Sequence, residues 1–141
     1  MIPVKQRQQE LGTEMVFELV REDRLIALAD VVLRYSAHAP LEIKFEIKLP
    51  GQSPVEWRIC RQLLKVGLML PSGLADVQIW PGNDNFLLLE LRSDTGHAKM
   101  RVRADQMKDF LMSTYTVVAP EEEIGWLGLD LLIEQCRRLA R

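Results

Sequence analysis

Two histidines, two cysteines and one acidic run are the residues whose types could do chemistry in this chain. An imidazole base needs a nucleophile and an orienting group within reach. His38 sits in Ser36-Ala37-His38-Ala39-Pro40, a loop composition, and His97 opens an alternating stretch beside a turn. Neither has a recognisable sequence partner, so both read as exposed turn histidines. No G-x-S-x-G, H-E-x-x-H, Walker A or G-x-G-x-x-G occurs, and those spacings are what a strained nucleophile, a helical zinc pair or a phosphate cradle require. Glu121 to Glu123 are consecutive, which does not reproduce the alternate spacing of a chelating loop. The residues therefore specify no catalytic set, no cofactor and no metal.

Cys60 and Cys136 lie far apart and form no C-x-x-C. They read as reduced thiols of a cytosolic protein, Cys136 packing as a small hydrophobe. Arg61 beside Cys60 would favour its thiolate, but no histidine is near in sequence to make it a nucleophile. One further constellation is cationic. His97, Lys99, Arg101 and Arg103 share one face of an alternating stretch, a spacing that can track a phosphate backbone. The same spacing also fits a solvated sheet whose cations pair with carboxylates such as Glu90.

The elements that position these residues follow from periodicity. Leu41, Ile43, Phe45, Ile47 and Leu49 alternate with Glu42, Lys44, Glu46 and Lys48, which is a strand with one core face and one wet face. Similar alternation predicts strands from Thr13, over Ile26 to Ser36, over Val55 to Ile59, and around Val77 to Ile79. Phe86 to Arg92 and His97 to Arg103 flank Ser93-Asp94-Thr95-Gly96 and predict a hairpin. For both core faces to coincide, paired residue numbers must sum to an odd value; a one-residue slip would bury Lys99. Phe86 and Leu88 then fall on the outer face, an apolar pair that invites cover by a helix or a second copy. A short helix is expected at about Arg61 to Val66, with Gly67 as its C′ residue. Later the period becomes helical, first over Ala104 to Ser113 and then along Leu129, Leu132, Ile133, Cys136 and Leu139.

Strands grouped early and helices late predict an α+β fold of two small antiparallel sheets, seven or eight strands, with one short helix and two C-terminal helices. The expected organisation is an N-terminal arm over 1–12 and a single domain over 13–141. Of 141 residues, 48% are hydrophobic and 27% charged, an ordinary globular balance. The 18 basic and 20 acidic residues leave a net charge of −2, so there is no global positive field to draw in nucleic acid or anionic lipid. No charge-free run is long enough to span a bilayer.

The central block resembles the SsgA-like family, the sporulation and cell-division proteins of sporulating actinobacteria. It runs Val55-x-Trp57-x-x-Cys60-Arg61-x-Leu63-Leu64-x-x-Gly67-Leu68-x-x-Pro71-x-Gly73-x-x-Asp76-Val77-x-Ile79-Trp80-Pro81. Family members read V-x-W-x-F-A-R-D-L-L, then G-L-x-x-P-x-G-x-G-D-V-x-V-W-P. Leu33-Arg34-Tyr35 is similar to the family's L-R-Y. Ile59-Cys60 stands where F-A is usual, Gln62 replaces an acidic residue, and Ala75 replaces the second glycine.

The resemblance implies a whirly-like fold and a non-enzymatic cytoplasmic protein at the division septum. It implies protein contacts with the tubulin-like division protein FtsZ and with other SsgA-like proteins, and self-association, with a ring-like trimer expected. The motif residues Trp57, Arg61, Leu63, Leu64, Gly67, Pro71, Gly73, Asp76, Trp80 and Pro81 read as a fold signature more than a contact site, because buried aromatics usually serve packing. Phe86 and Leu88 are the expected interface. Lys99, Arg101 and Arg103 are the expected surface of the alternative, a single-stranded nucleic-acid binder.

Overall fold

The computed structural model describes residues 9–74, 76–94 and 96–122. The strands are β1 (Glu10–Arg21), β2 (Arg24–Ser36), β3 (Glu42–Lys48) and β4 (Val55–Cys60), followed by helix α1 (Arg61–Gly67). Then come β5 (Ser72–Leu74), β6 (Val77–Pro81), β7 (Phe86–Ser93), β8 (Gly96–Arg103) and helix α2 (Ala104–Val117). β1 already begins at Glu10, inside the stretch expected to be an arm. The expected C-terminal helix, with Leu129, Leu132, Ile133, Cys136 and Leu139, lies outside the described residues.

All eight strands form one antiparallel sheet in the order β4-β3-β2-β1-β8-β7-β6-β5. This corrects the expectation of two separate sheets. The reason lies in one junction. β1 pairs along its whole length with β2, and meets β8 through Glu18, Leu19 and Val20 opposite Arg101, Met100 and Lys99. Two four-stranded halves thus share one short seam, and the sheet curls about it so that both halves face a common core. Periodicity identifies each half; it carries no information about the seam.

The local patterns hold within each half. Ile43, Phe45 and Ile47 of β3 are buried, and so are Leu87, Leu89 and Leu91 of β7. Leu91 opposes Ala98 and Glu90 opposes Lys99, the odd-sum register that keeps Lys99 out of the core. Phe17 and Phe45 meet edge to face at 6.3 Å, a favoured aromatic geometry. Met107, Phe110, Leu111 and Thr114 turn the buried stripe of α2 onto this core. The β1–β2 loop is tight: Glu22 and Asp23 both take positive φ, 51° and 62°. That is the mirror-image two-residue turn that suits strand twist, here made without glycine.

Candidate functional site

Among the described residues Arg61 is the most deeply buried charged side chain, only 1% exposed. It opens α1 directly after β4, and its own N–H donates to Leu41 O at 2.9 Å. The guanidinium carbon lies 4.9 Å from the Tyr35 ring centroid and 4.8 Å from that of Tyr115. Arg61 Nη1 donates to Val118 O at 2.8 Å, Thr114 O at 3.3 Å and Thr114 Oγ1 at 3.4 Å. Those carbonyls lie at the end of α2, the negative end of the helix dipole, where Thr114 O also accepts from Val118 N at 3.0 Å. A flat cation between two aromatic faces, aimed at a helix C-terminus, fastens α1 and β4 to α2. Tyr35 is held in turn by its hydroxyl, which donates to Pro40 O at 2.9 Å. Of these partners the sequence signalled only Tyr35, through the family-like Leu33-Arg34-Tyr35; nothing marked Thr114 or Tyr115.

The other motif residues divide by location. Leu63 and Leu64 are buried beside Arg61. Gly67 packs on β6: a Cβ there would sit 2.4 Å from Ile79 Cγ2. It is the last residue of α1, and the cap residue Leu68 is right-handed at φ −69°, so Gly67 serves close approach and not the left-handed C′ conformation expected of it. Gly73 lies beneath the flexible Gln78 side chain. Pro71 is exposed, beside the exposed pair Met69 and Leu70. The Asp76 carbonyl accepts a hydrogen bond from Arg92 N at 2.9 Å. Trp57 and Asp76 meet at an open groove of about 1050 Å³, where Leu49, Val55 and Leu91 supply apolar wall and His97 stands at the rim.

Cys60 is disulfide-bonded, which overturns its reading as a reduced thiol. Its sulfur is fully buried where β4 enters α1, and sequence spacing does not reveal what the fold places beside it. His38 and His97 are exposed, as expected. Among the described residues no group of three His, Cys, Asp or Glu is placed to hold a metal ion.

Three members of the cationic face, Lys99, Arg101 and Arg103, are engaged within the fold. Arg101 forms a two-armed ion pair with Glu18, at 3.2 and 3.3 Å, and stacks over Phe86 at 4.7 Å. Lys99 lies 5.6 Å from the Trp80 ring centroid. Arg103 pairs with Asp105 at 3.4 Å. Trp80, Leu88, Arg101, Glu18 and Leu28 stand opposite one another across β6, β7, β8, β1 and β2, so one row crosses five strands. Phe86 and Leu88 are half-buried. The Arg101 guanidinium over Phe86 shades part of this apolar pair within one chain. Phe86→Asp is therefore expected to cost about 1–2 kcal/mol through lost stacking and cross-strand contact. Urea unfolding measures that loss, and light scattering should show no change in mass.

The Arg103 side chain, hydrogen-bonded to the exposed Asp105 carboxylate, holds that carboxyl below its ordinary 3.8. The sign follows from linkage: a depressed folded pKa gives stability present above the unfolded value and lost as pH falls through the folded one. Carboxyl NMR titration should find Asp105 below 3.8, and Arg103→Gln should return it toward that value.

Among the described residues, four of the eight exposed large hydrophobics lie on the β1–β2 hairpin, Val16, Leu25, Ile26 and Leu28, each about half exposed. Sequence reasoning had passed over this surface, because Ile26 to Ser36 simply read as β-rich.

Comparisons with known proteins agree on one relationship. A family model described as Streptomyces sporulation and cell division protein SsgA matches residues 29–123. The sporulation-specific cell division protein SsgB of Saccharopolyspora erythraea is 34% identical over 122 residues, spanning 85% of this chain and 86% of the relative. SsgB of Salinispora tropica is 31% identical over 134 residues, 92% of this chain and 94% of the relative. The crystal structure of an SsgA-like sporulation-specific cell division protein from Thermobifida fusca superposes with a TM-score of 0.76 at 28% identity. It covers 92% of this chain and 97% of that one.

Proposed function

Since the chain belongs to the SsgA family of sporulation and cell-division proteins, we propose that it is a non-enzymatic regulator of septation. Its role lies in cell division and sporulation, and the family is not a known enzyme family. In this reading it acts at the septum by protein–protein contact, helping to position or activate FtsZ together with other SsgA-like proteins. Among the described residues, no helix is long and apolar enough to cross a membrane.

The observation that favours a protein partner over a nucleic acid is the state of the basic face. Arg101 and Arg103 are committed to Glu18 and Asp105, and Lys99 to Trp80. Phosphates would have to compete with Glu18 for Arg101 and with Asp105 for Arg103, which weakens the electrostatic gain of backbone binding.

Purified chain should co-sediment with polymers of purified FtsZ, and an SsgA-like protein added to the mixture should be retained. Failure of both retentions would sink the proposal. The nucleic-acid alternative has its own signature. A protein neutralising three phosphates of a single strand shows a log–log salt slope of about −2, at roughly −0.7 per phosphate. Titration with single-stranded oligonucleotides at low salt is expected to show no binding.

A further inference from the structure

The chain carries two cysteines, Cys60 and Cys136. Cys60 is disulfide-bonded and wholly buried, and no described cysteine is free. It closes β4, opposite Glu42 of β3, and stands at the N-cap of α1. It belongs to the same core cluster as Ile43, Ile59 and Leu64. A sulfur so placed cannot meet a second chain unless the fold opens, so its partner lies in its own chain. Elimination leaves Cys136, which lies outside the described residues.

Two further observations fit that partner. The described chain comes back to the neighbourhood of Cys60 before it continues toward Cys136: Val118 O accepts from Arg61 Nη1 at 2.8 Å, and Arg61 follows Cys60 directly. From Val118 to Cys136 is 18 positions, a reach of about 60 Å if fully extended, so the return is well within the chain's length. Cys136 also belongs to the apolar spacing Leu129, Leu132, Ile133, Cys136, Leu139, while Glu134, Gln135, Arg137 and Arg138 fall between. On a helical period that spacing puts the sulfur and the apolar residues on one face. The family block quoted above reads alanine where Cys60 stands, so the bond is particular to this chain.

We propose that Cys60 and Cys136 form a redox-sensitive clasp, which fastens the C-terminal apolar stripe to the β4–α1 junction when oxidised and frees it when reduced. The oxidant is a low-molecular-weight disulfide, RSSR. The Cys136 thiolate attacks it, a mixed disulfide forms and RS⁻ leaves. The Cys60 thiolate then attacks the Cys136 sulfur, and the second RS⁻ leaves. Each RS⁻ takes up a proton that a cysteine has given up, so two cysteine thiols become one disulfide and RSSR becomes two RSH. Arg137 and Arg138 follow Cys136 in sequence and favour its thiolate, which makes it the first to react. The buried Cys60 is the resolving sulfur. Excess thiol runs the exchange backwards. In a reducing cell interior a disulfide is rarely a static brace and is usually transient or redox-sensing. The clasp joins two parts of one chain and is independent of the division partner, so loss of FtsZ retention leaves it standing.

Non-reducing peptide mapping of the full chain, after alkylation with iodoacetamide, tests the bond. In protein equilibrated with oxidised glutathione, the Cys60 and Cys136 peptides should appear as one cross-linked species. On a non-reducing denaturing gel that protein should run as a single chain of 16.2 kDa. After dithiothreitol both cysteines should be alkylated. Limited trypsin digestion tests the clasp. Cleavage after Arg137 and Arg138 should be about tenfold faster in the reduced chain than in the oxidised one, because cleavage follows the population of the opened segment. Cys136→Ser and Cys60→Ala should each be cut at the reduced rate under both conditions. Cys136→Ser leaves the buried position intact, so it carries the test even if Cys60→Ala fails to fold. Two alkylated cysteines after oxidised glutathione overturn the proposal. So does a bond between chains, or equal cleavage of the oxidised and reduced protein.

Discussion

Arg61→Ala is expected to destabilise the protein by about 3–4 kcal/mol, since hydrogen bonds to a buried charge are worth roughly 1.5–3 and a desolvated cation–aromatic contact about 2, not fully additive. The substitution removes the donor to Val118 O and the flat group between Tyr35 and Tyr115. It leaves the end of α2 with an uncapped carbonyl in a buried place. Arg61→Lys should recover less than half of the loss. An ammonium is a point charge and cannot lie flat between two rings while forking toward Thr114 and Val118. Urea unfolding of the three proteins decides the matter. A lysine variant as stable as the wild type would show that charge alone matters, and an alanine variant with an unchanged midpoint would remove the clamp from the account.

The second large effect is expected at Gly67. A Cβ there meets Ile79 Cγ2 at 2.4 Å and Ile79 Cβ at 2.7 Å. Ile79 is fully buried and sits mid-strand between Ser72 and Leu89. A β-branched side chain locked in a sheet has little room to yield. Gly67→Val should therefore cost about 3 kcal/mol, the upper range of overpacking. Gly67→Ala should cost less, because alanine's better helix propensity returns about 1 kcal/mol. Ile79→Ala alone opens a cavity and should cost about 2–5 kcal/mol. Combined with Gly67→Val it should cost clearly less than the two single losses added together, since each relieves the other. Strict additivity in a double-mutant cycle would show that the two residues do not press on one another.

How much of this was visible beforehand differs from residue to residue. The glycine at 67 was visible, but its purpose was misread as a C′ turn, because the wall it avoids lies 12 positions away, on strand β6. Phe86 and Leu88 were correctly placed on an outer face. Their cover was not foreseen, because the stacking cation Arg101 is brought over by the β7–β8 register and fixed by Glu18 from the far side of the seam. The relatives could be named from the Trp57-to-Pro81 block alone; what those residues do for the fold could not.

By itself the sequence determined the strand faces of β3, β7 and β8, the hairpin register, the short helix after Cys60 and the family. Each is written in consecutive residues: alternation, turn composition and motif spacing are local properties that any reader of the chain can count. Tertiary structure alone decided that eight strands form one sheet, that Arg61 is buried, and that the cations of β8 are already engaged. Each of these depends on groups tens of positions apart meeting at a few ångströms: Glu18 with Arg101, and Arg61 with Tyr35, Thr114 and Val118. A local pattern says which way a side chain points. Only the closed fold says what it meets there, because burial and charge pairing are set by the neighbours that packing delivers.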